Sequence, residues 1–417
     1  MFPFSGVNMK RLFIACLLLL SQHVAAHFTH FEPRILHIYQ DKSDILVLMR
    51  MPLPLVLLDA SWKGIDAKNQ VPYTKQAEME DGIDYLLDRA ALTEKPELLI
   101  EKISQGYRFE INQSLRSAQV EAIHLFNSDN RRSFVDIASA ESNFDGFMLL
   151  EPEAIKFFDT GLDIKFRLQN ASVIADNMTI FSKLGDQFNA INRLANVVNI
   201  YRNGQHLSNT TVGILELSSQ RLPSAWERGI SGFWQGMEHI FIGLDHVLFI
   251  LLIFFTSNSI MRLITLATAF TIGHSFSLLV GDNLLISAGF FIPAIELLIA
   301  LSIAVTAVAL IMNKGHHLTS TPMLCIGFIH GFGFSFVFRE LAEASGQGRD
   351  WLTLSTFTLG IEAGQLIIYL LAFGFAWCVN HYLSPKRSLA FYVSLFALAV
   401  SQYWVLTRML PLLDAVI

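Results

Sequence analysis

The stretch WQGMEHIFIGLDHVLFILLIFF (234–255) sets His239, Asp245 and His246 in front of an apolar run of lipid-compatible character. An ionisable side chain near the bilayer centre costs at least about 2.5–3.5 kcal/mol even on a lenient scale. The same half of the chain adds His274, Glu296, His330 and Glu362, each inside a separate apolar segment. Counted from the segment ends, these groups lie roughly 7–12 residues in, about 10–18 Å along a helix. Solitary charges at that depth would be costly, whereas one shared interior site would offset the cost. Imidazole mixed with carboxylate suits Zn, Ni, Co, Fe or Cu better than Mg or Ca, which prefer shells of oxygen. Three carboxylates and two or three neutral imidazoles around a divalent cation leave a small residual charge. The competing readings are a polar network that fixes helix packing and a metal-free proton relay. His239 and His246 are seven residues apart, so on one straight helix they face the same way but stand about 10 Å apart. They share an ion only if the helix breaks, which Gly243 permits. Two separate stations, an outer His239 and an inner site, are the expected arrangement.

The elements that position these groups are apolar segments near 237–257, 262–280, 284–312, 323–340, 351–379 and 389–411. Glycines stand beside the candidate ligands in TIGHSFSLL (271–279), GFIHGFGFSF (327–336) and TLGIEAGQL (358–366), and small residues let membrane helices approach closely. Thr271, Ser275 and Gln365 are candidates to orient the ligands through hydrogen bonds. The stretch 220–233 reads as an amphipathic lead-in.

Upstream the composition changes. Of 417 residues 52% are hydrophobic and 16% charged, and the charged ones concentrate in residues 27–230. The net charge of −6 and the lack of a basic stripe exclude nucleic acid as an expected partner. The N-terminus MKRLFIACLLLLSQHVAAH (9–27) has the basic start, short apolar run and small-residue exit of a cleaved secretory signal. Cleavage after Ala26 would expose the α-amino group and ring of His27, which with His30 and His37 could form a nitrogen-rich second site for Cu(II) or Ni(II). The three cysteines are Cys16, Cys325 and Cys378, so the exported part needs an ordinary core and no disulfide. Strand-like stretches recur from ILHIYQ (35–40) to VGILEL (212–217), among them PELLIEKI (96–103) and FVDIAS (134–139), with a helical insertion expected over 73–93. The fold class is therefore an α-helical polytopic membrane domain of about six transmembrane helices, preceded by a mainly β, sandwich-like periplasmic domain. The boundaries are 1–26 for the signal, 27–225 for the β domain and 226–417 for the membrane domain.

The motifs GMEHIFIGLDHVLF (236–249), FTIGHSFSL (270–278), IELLIALSI (295–303), GFIHGFGFSF (327–336) and FTLGIEAGQ (357–365) resemble the HupE/UreJ family of membrane proteins associated with nickel hydrogenases and ureases. The resemblance covers about residues 230–410, and the exported domain looks like the branch that carries one. It implies a divalent-metal permease, nickel or cobalt first, with His239, Asp245 and His246 filling the metal motif and Gly243 in its glycine place. His274, Glu296, His330 and Glu362 match later motifs. Ile240 stands where the shorter permease branch has Pro. The implied location is a bacterial inner membrane, with lipid, the metal ion and a metallochaperone or metalloenzyme-maturation protein as partners and the exported domain and C-terminus periplasmic. No GxxxxGK[ST] occurs, so transport would draw on a gradient, the membrane potential or a partner. The competing classes are an intramembrane metal-dependent enzyme with Glu296 or Glu362 as base, though no HExxH occurs, and a metal-sensing accessory protein.

Overall fold

Residues 33–58, 71–79, 82–150, 155–172, 177–184, 194–218, 224–281, 288–346, 350–382 and 389–414 are described by a computed structural model. The expected signal, with His27 and His30, lies outside them.

The N-terminal part consists of β1 (Arg34–Asp41), β2 (Asp44–Pro52), β3 (Thr74–Met79), β4 (Gly82–Leu87), β5 (Arg108–Ile111), β6 (Ser114–Arg116), β7 (Gln119–Asn127), β8 (Met148–Leu150), β9 (Thr160–Leu168), β10 (Met178–Ser182), β11 (Ala195–Arg202), β12 (Gln205–Val212) and β13 (Leu215–Ser218). A seven-stranded sheet runs β12-β11-β1-β2-β9-β7-β8, a four-stranded sheet runs β13-β10-β5-β6, and β3 pairs with β4. Short helices α1 (Pro54–Leu57), α2 (Arg89–Glu94), α3 (Glu97–Gly106) and α4 (Ile137–Glu141) fill connections. The parity of β2 explains the layering, because alternate side chains point to opposite faces. Ile45, Val47, Met49 and Met51 join Phe109, Ile111, Met178, Ile180 and Leu217 of the smaller sheet in one core, so the two sheets make the expected sandwich. Leu48 and Arg50 point the other way, where Phe134 and Ala140 cover them.

Three local expectations are corrected. PELLIEKI is helix α3, since Leu99 and Ile103 are buried four residues apart as on one helical face. FVDIAS leads into α4, whose start is closed by a capping box between Asp136 and Ser139. The helical insertion over 73–93 is the β3–β4 hairpin followed by α2.

The C-terminal part is helical: α5 (Ala225–Ile242), α6 (Leu244–Thr256), α7 (Ile260–Val280), α8 (Ala288–Ile311), α9 (Ser320–Ser345), α10 (Trp351–Tyr382) and α11 (Leu389–Asp414). Ser224 and Glu227 form a capping box at the start of α5, the expected lead-in. Among the described residues four helices are long and apolar enough to cross a membrane: 260–280, 293–311, 351–379 and 389–409; the pair α5–α6, bent by 80°, makes a fifth if taken as one span. Six spans were expected; the segment around 323–340 lies in the continuous helix α9.

Glycine sets the helix packing. A Cβ on Gly236 would collide with the Phe357 carbonyl and one on Gly360 with the Phe233 carbonyl, so α5 and α10 touch backbone to backbone. Gly273 and Gly327 play the same reciprocal part between α7 and α9, against Leu324 and Phe270. The far end of α9 leaves the bundle and docks on the outer face of the large sheet. There Ala344 packs with Ile35, Leu48 and Val197, and the Ala344 carbonyl accepts from Asn199 Nδ2 at 2.7 Å.

Candidate metal centre

Two backbone features create the site. The N–H of Gly243 still bonds the His239 carbonyl at 3.1 Å, closing α5, while the Gly243 carbonyl accepts from Val247 at 2.9 Å, opening α6. One residue thus ends a helix and starts the next, and the 80° bend folds the last turn of α5 onto the first turn of α6. A side chain at 243 would strike His246 Nδ1 and press on Asp245 Oδ1, which is why this corner holds glycine.

The break brings the two histidines together. The rings of His239 and His246 are 4.7 Å apart between centroids, and His274 from α7 lies 5.7 Å from each. One ring nitrogen from each of the three lies within 4.8 Å of the others, close enough for a single ion; among the described residues this is the group of three or more such side chains that could hold one. The expected two-station arrangement is corrected: it assumed a straight helix, and the helix is broken.

Hydrogen bonding leaves these rings bare on the inner side. His246 Nδ1 donates to Asp245 Oδ1 at 3.0 Å, and the His246 backbone N–H donates to the same oxygen at 2.9 Å. That fixes the ring and leaves Nε2 without a partner; His239 Nε2 and both nitrogens of His274 are likewise buried with no hydrogen-bond partner. His330 of α9 stands beside the three, 5.4 Å from His246 between centroids. Ser302 Oγ spends its proton on the Ile299 carbonyl at 2.7 Å, so at 3.1 Å it accepts from His330 Nε2, which leaves His330 Nδ1 bare and buried. Phe334 lies 4.4 Å from His239, and Phe249 and Phe270 lie 5.1 and 5.4 Å from His330. The imidazoles are therefore enclosed by aromatic rings that offer no competing hydrogen bond.

Against this geometry the comparison with protein families is decisive for the helical half, because residues 217–408 match the model described as HupE / UreJ protein. This part of the chain belongs to the HupE/UreJ family. No curated protein matches the chain. With its apolar helices, the HupE/UreJ domain is a multi-pass membrane domain.

The HupE/UreJ domain does not gather every residue singled out in the sequence. Asp245 is at the site as the partner that orients His246, and it stands outside the three-nitrogen group. Glu296 on α8 lies 3.8 Å from Arg408 Nε, and its carbonyl accepts from Arg408 Nη1 at 2.9 Å, so it is engaged with α11 and lies outside the group. Glu362 is half-buried on α10 and also outside it. The shared carboxylate-rich shell is corrected to a histidine cluster with one carboxylate behind it. Gln365 Nε2 donates to Thr271 Oγ1 at 2.9 Å and Ser275 meets Thr358 at 3.3 Å; these groups tie α7 to α10.

The second proposed site loses its described member. His37 is fully buried on β1, and both ring nitrogens are engaged, Nδ1 with Tyr201 Oη and Nε2 with the Phe134 carbonyl, each at 3.0 Å. A carbonyl can only accept, so Nε2 carries the proton and Nδ1 accepts from the tyrosine. Burial pushes the His37 pKa down to about 4. Sequence reading also passed over Ser302, whose hydroxyl sets the His330 tautomer; its spacing on α8 opposite the GFIHG glycines is the signal that could have found it.

Proposed function

We propose that the HupE/UreJ domain is a permease for a divalent transition-metal ion, which His239, His246 and His274 ligate in transit. The observation that carries this reading is the set of buried ring nitrogens without a protein partner. A buried polar atom left unsatisfied costs about 1–3 kcal/mol, and several of them facing one point are best accounted for by a cation that completes them. Three imidazoles suit Ni, Co, Zn or Cu rather than Mg or Ca, and the family association with nickel enzymes puts nickel and cobalt first, with iron the weakest candidate. Three ligands also leave positions open, as a cargo that must leave requires; a closed structural site uses four. Asp245 would strengthen His246 as a donor and supply one negative charge against the cation.

In this reading the β domain faces the periplasm, the metal passes the bacterial inner membrane inward, and a metallochaperone or metalloenzyme-maturation protein receives it. Energy comes from a gradient or the membrane potential. An intramembrane enzyme has less support, because it needed Glu296 or Glu362 as a base beside the metal and Glu296 is turned to Arg408. Uptake of Ni, Co, Zn, Cu and Fe into vesicles containing the purified full-length protein is the test. Saturable uptake abolished by His246→Ala supports the permease; tight metal binding with no uptake of any of the five refutes it.

A further inference from the structure

The bundle holds a second feature that the histidine cluster does not use. At the end of α9 remote from the β sheet, a cavity of about 390 Å³ is lined by Thr256, Asn258, Leu310, Asn313, His316 and Phe391, among others. The single turn 315–317 carries two exposed histidines whose ring centroids lie 4.0 Å apart. That turn is clamped in place, since Arg262 Nη2 donates to the Gly315 carbonyl at 3.0 Å and the Leu318 carbonyl at 3.2 Å. Exposed neighbouring imidazoles on a pinned turn, with Asn258 and Asn313 also lining the cavity, form a ligand set of the same chemical class as the buried cluster but with fewer nitrogens and more water.

Polar groups lead part of the way from the cluster toward the cavity, as far as Thr306. His330 stands beside His246 with Nδ1 bare and hands its other nitrogen to Ser302. One turn further along α8, Thr306 is buried and donates to the Ser302 carbonyl at 2.8 Å. Leu310, one turn on near the end of α8, and Asn313, just beyond the helix, line the cavity. On α11, which packs along α8, the Ser394 hydroxyl is buried with no hydrogen-bond partner, one turn from the cavity residue Phe391. From Ser302 to Leu310 this stretch of α8 spans about 12 Å. A buried hydroxyl without a partner is as unusual in an apolar helix interface as a bare imidazole.

We propose that this cavity and the turn beside it form a second, weaker cation site that receives a divalent transition-metal ion from the histidine cluster, with His316, which lines the cavity, and the adjacent His317 as its imidazole ligands. It rests on the permease reading for its role in release, while its existence as a binding site does not. Weak binding follows from two nitrogens and an open cavity against three nitrogens in an enclosed one, and a release site must bind weakly to let the ion go.

The experiment uses untagged full-length protein, titrated with Co(II) in detergent and assayed for Co(II) uptake in vesicles. His316→Ala/His317→Ala is expected to bind one Co(II) fewer per chain than the wild type, keep the absorption of the buried site, and slow uptake by about tenfold or more, the scale on which supporting ligands act. His246→Ala is expected to lose the buried ion, retain the weaker one and abolish uptake. Both histidines of the double variant are exposed, and an unchanged melting temperature shows that it folds. Co(II) binding by the double variant equal to wild type overturns the site, and fewer bound ions with wild-type uptake overturns its role in release. Wild-type protein that binds two ions and moves none refutes the permease reading while leaving the site standing.

Discussion

Both halves of the molecule bury histidine, and they treat it in opposite ways. In the β domain His37 spends both nitrogens on Tyr201 and Phe134, and Asp163 holds the buried Arg50 through two bonds of 2.7 and 2.8 Å. In the membrane domain His239, His246, His274 and His330 each keep a bare buried nitrogen. Burial alone therefore says little about function. A satisfied imidazole is part of the architecture, and a cluster of unsatisfied ones is an opening for a ligand.

The contrast can be broken experimentally. The largest effect on stability is expected in the β domain: Asp163→Asn strands the buried Arg50 guanidinium and should cost about 3–5 kcal/mol. Melting of the full-length protein should fall accordingly, while Co(II) binding by the protein that remains folded stays at the wild-type level. A loss of metal affinity in the folded fraction would mean the two regions are not independent.

Asp245→Asn tests the other side. It keeps the shape but removes the carboxylate that orients His246, and metal affinity should drop 10–100-fold, about 1.4–2.7 kcal/mol, with little change in melting. Wild-type affinity in a titration would show that Asp245 is mere packing.

His37 sharpens the comparison through pH. Its folded pKa is pushed to about 4, below the unfolded value of about 6.5. The unfolded chain therefore gains a proton first as pH falls, so stability is full above pH 6.5 and declines toward pH 4. The decline should reach about 2 kcal/mol by pH 5. Denaturant midpoints of the wild type and His37→Gln between pH 7 and 5 measure it: the wild-type slope should exceed that of the variant, and equal slopes would show that His37 does not titrate as buried.

Much of this contrast was open to a reader of the sequence, and some was hidden for identifiable reasons. The β-rich N-terminal part, the helical C-terminal part and the burial of His246, His274 and His330 follow from composition, alternation and apolar run length. The Asn203-Gly204 pair also marks a hairpin, since both residues take positive φ and join β11 to β12. Gly243 advertised a break but not its angle, and the angle decides whether His239 joins His246 or stands apart. The pairing of Glu296 with Arg408 joins residues 112 positions apart, which no local pattern encodes. The docking of Ala344 on β11 was equally out of reach, because it depends on where a long helix ends relative to a sheet.

X-ray absorption of the full-length protein carrying one tightly bound Co(II) or Ni(II) reads the ligand set itself. The account predicts three imidazoles, as His239, His246 and His274 provide, and the loss of that signature when any one of them becomes alanine. A shell built mainly from carboxylates, or one that survives all three substitutions, would contradict it.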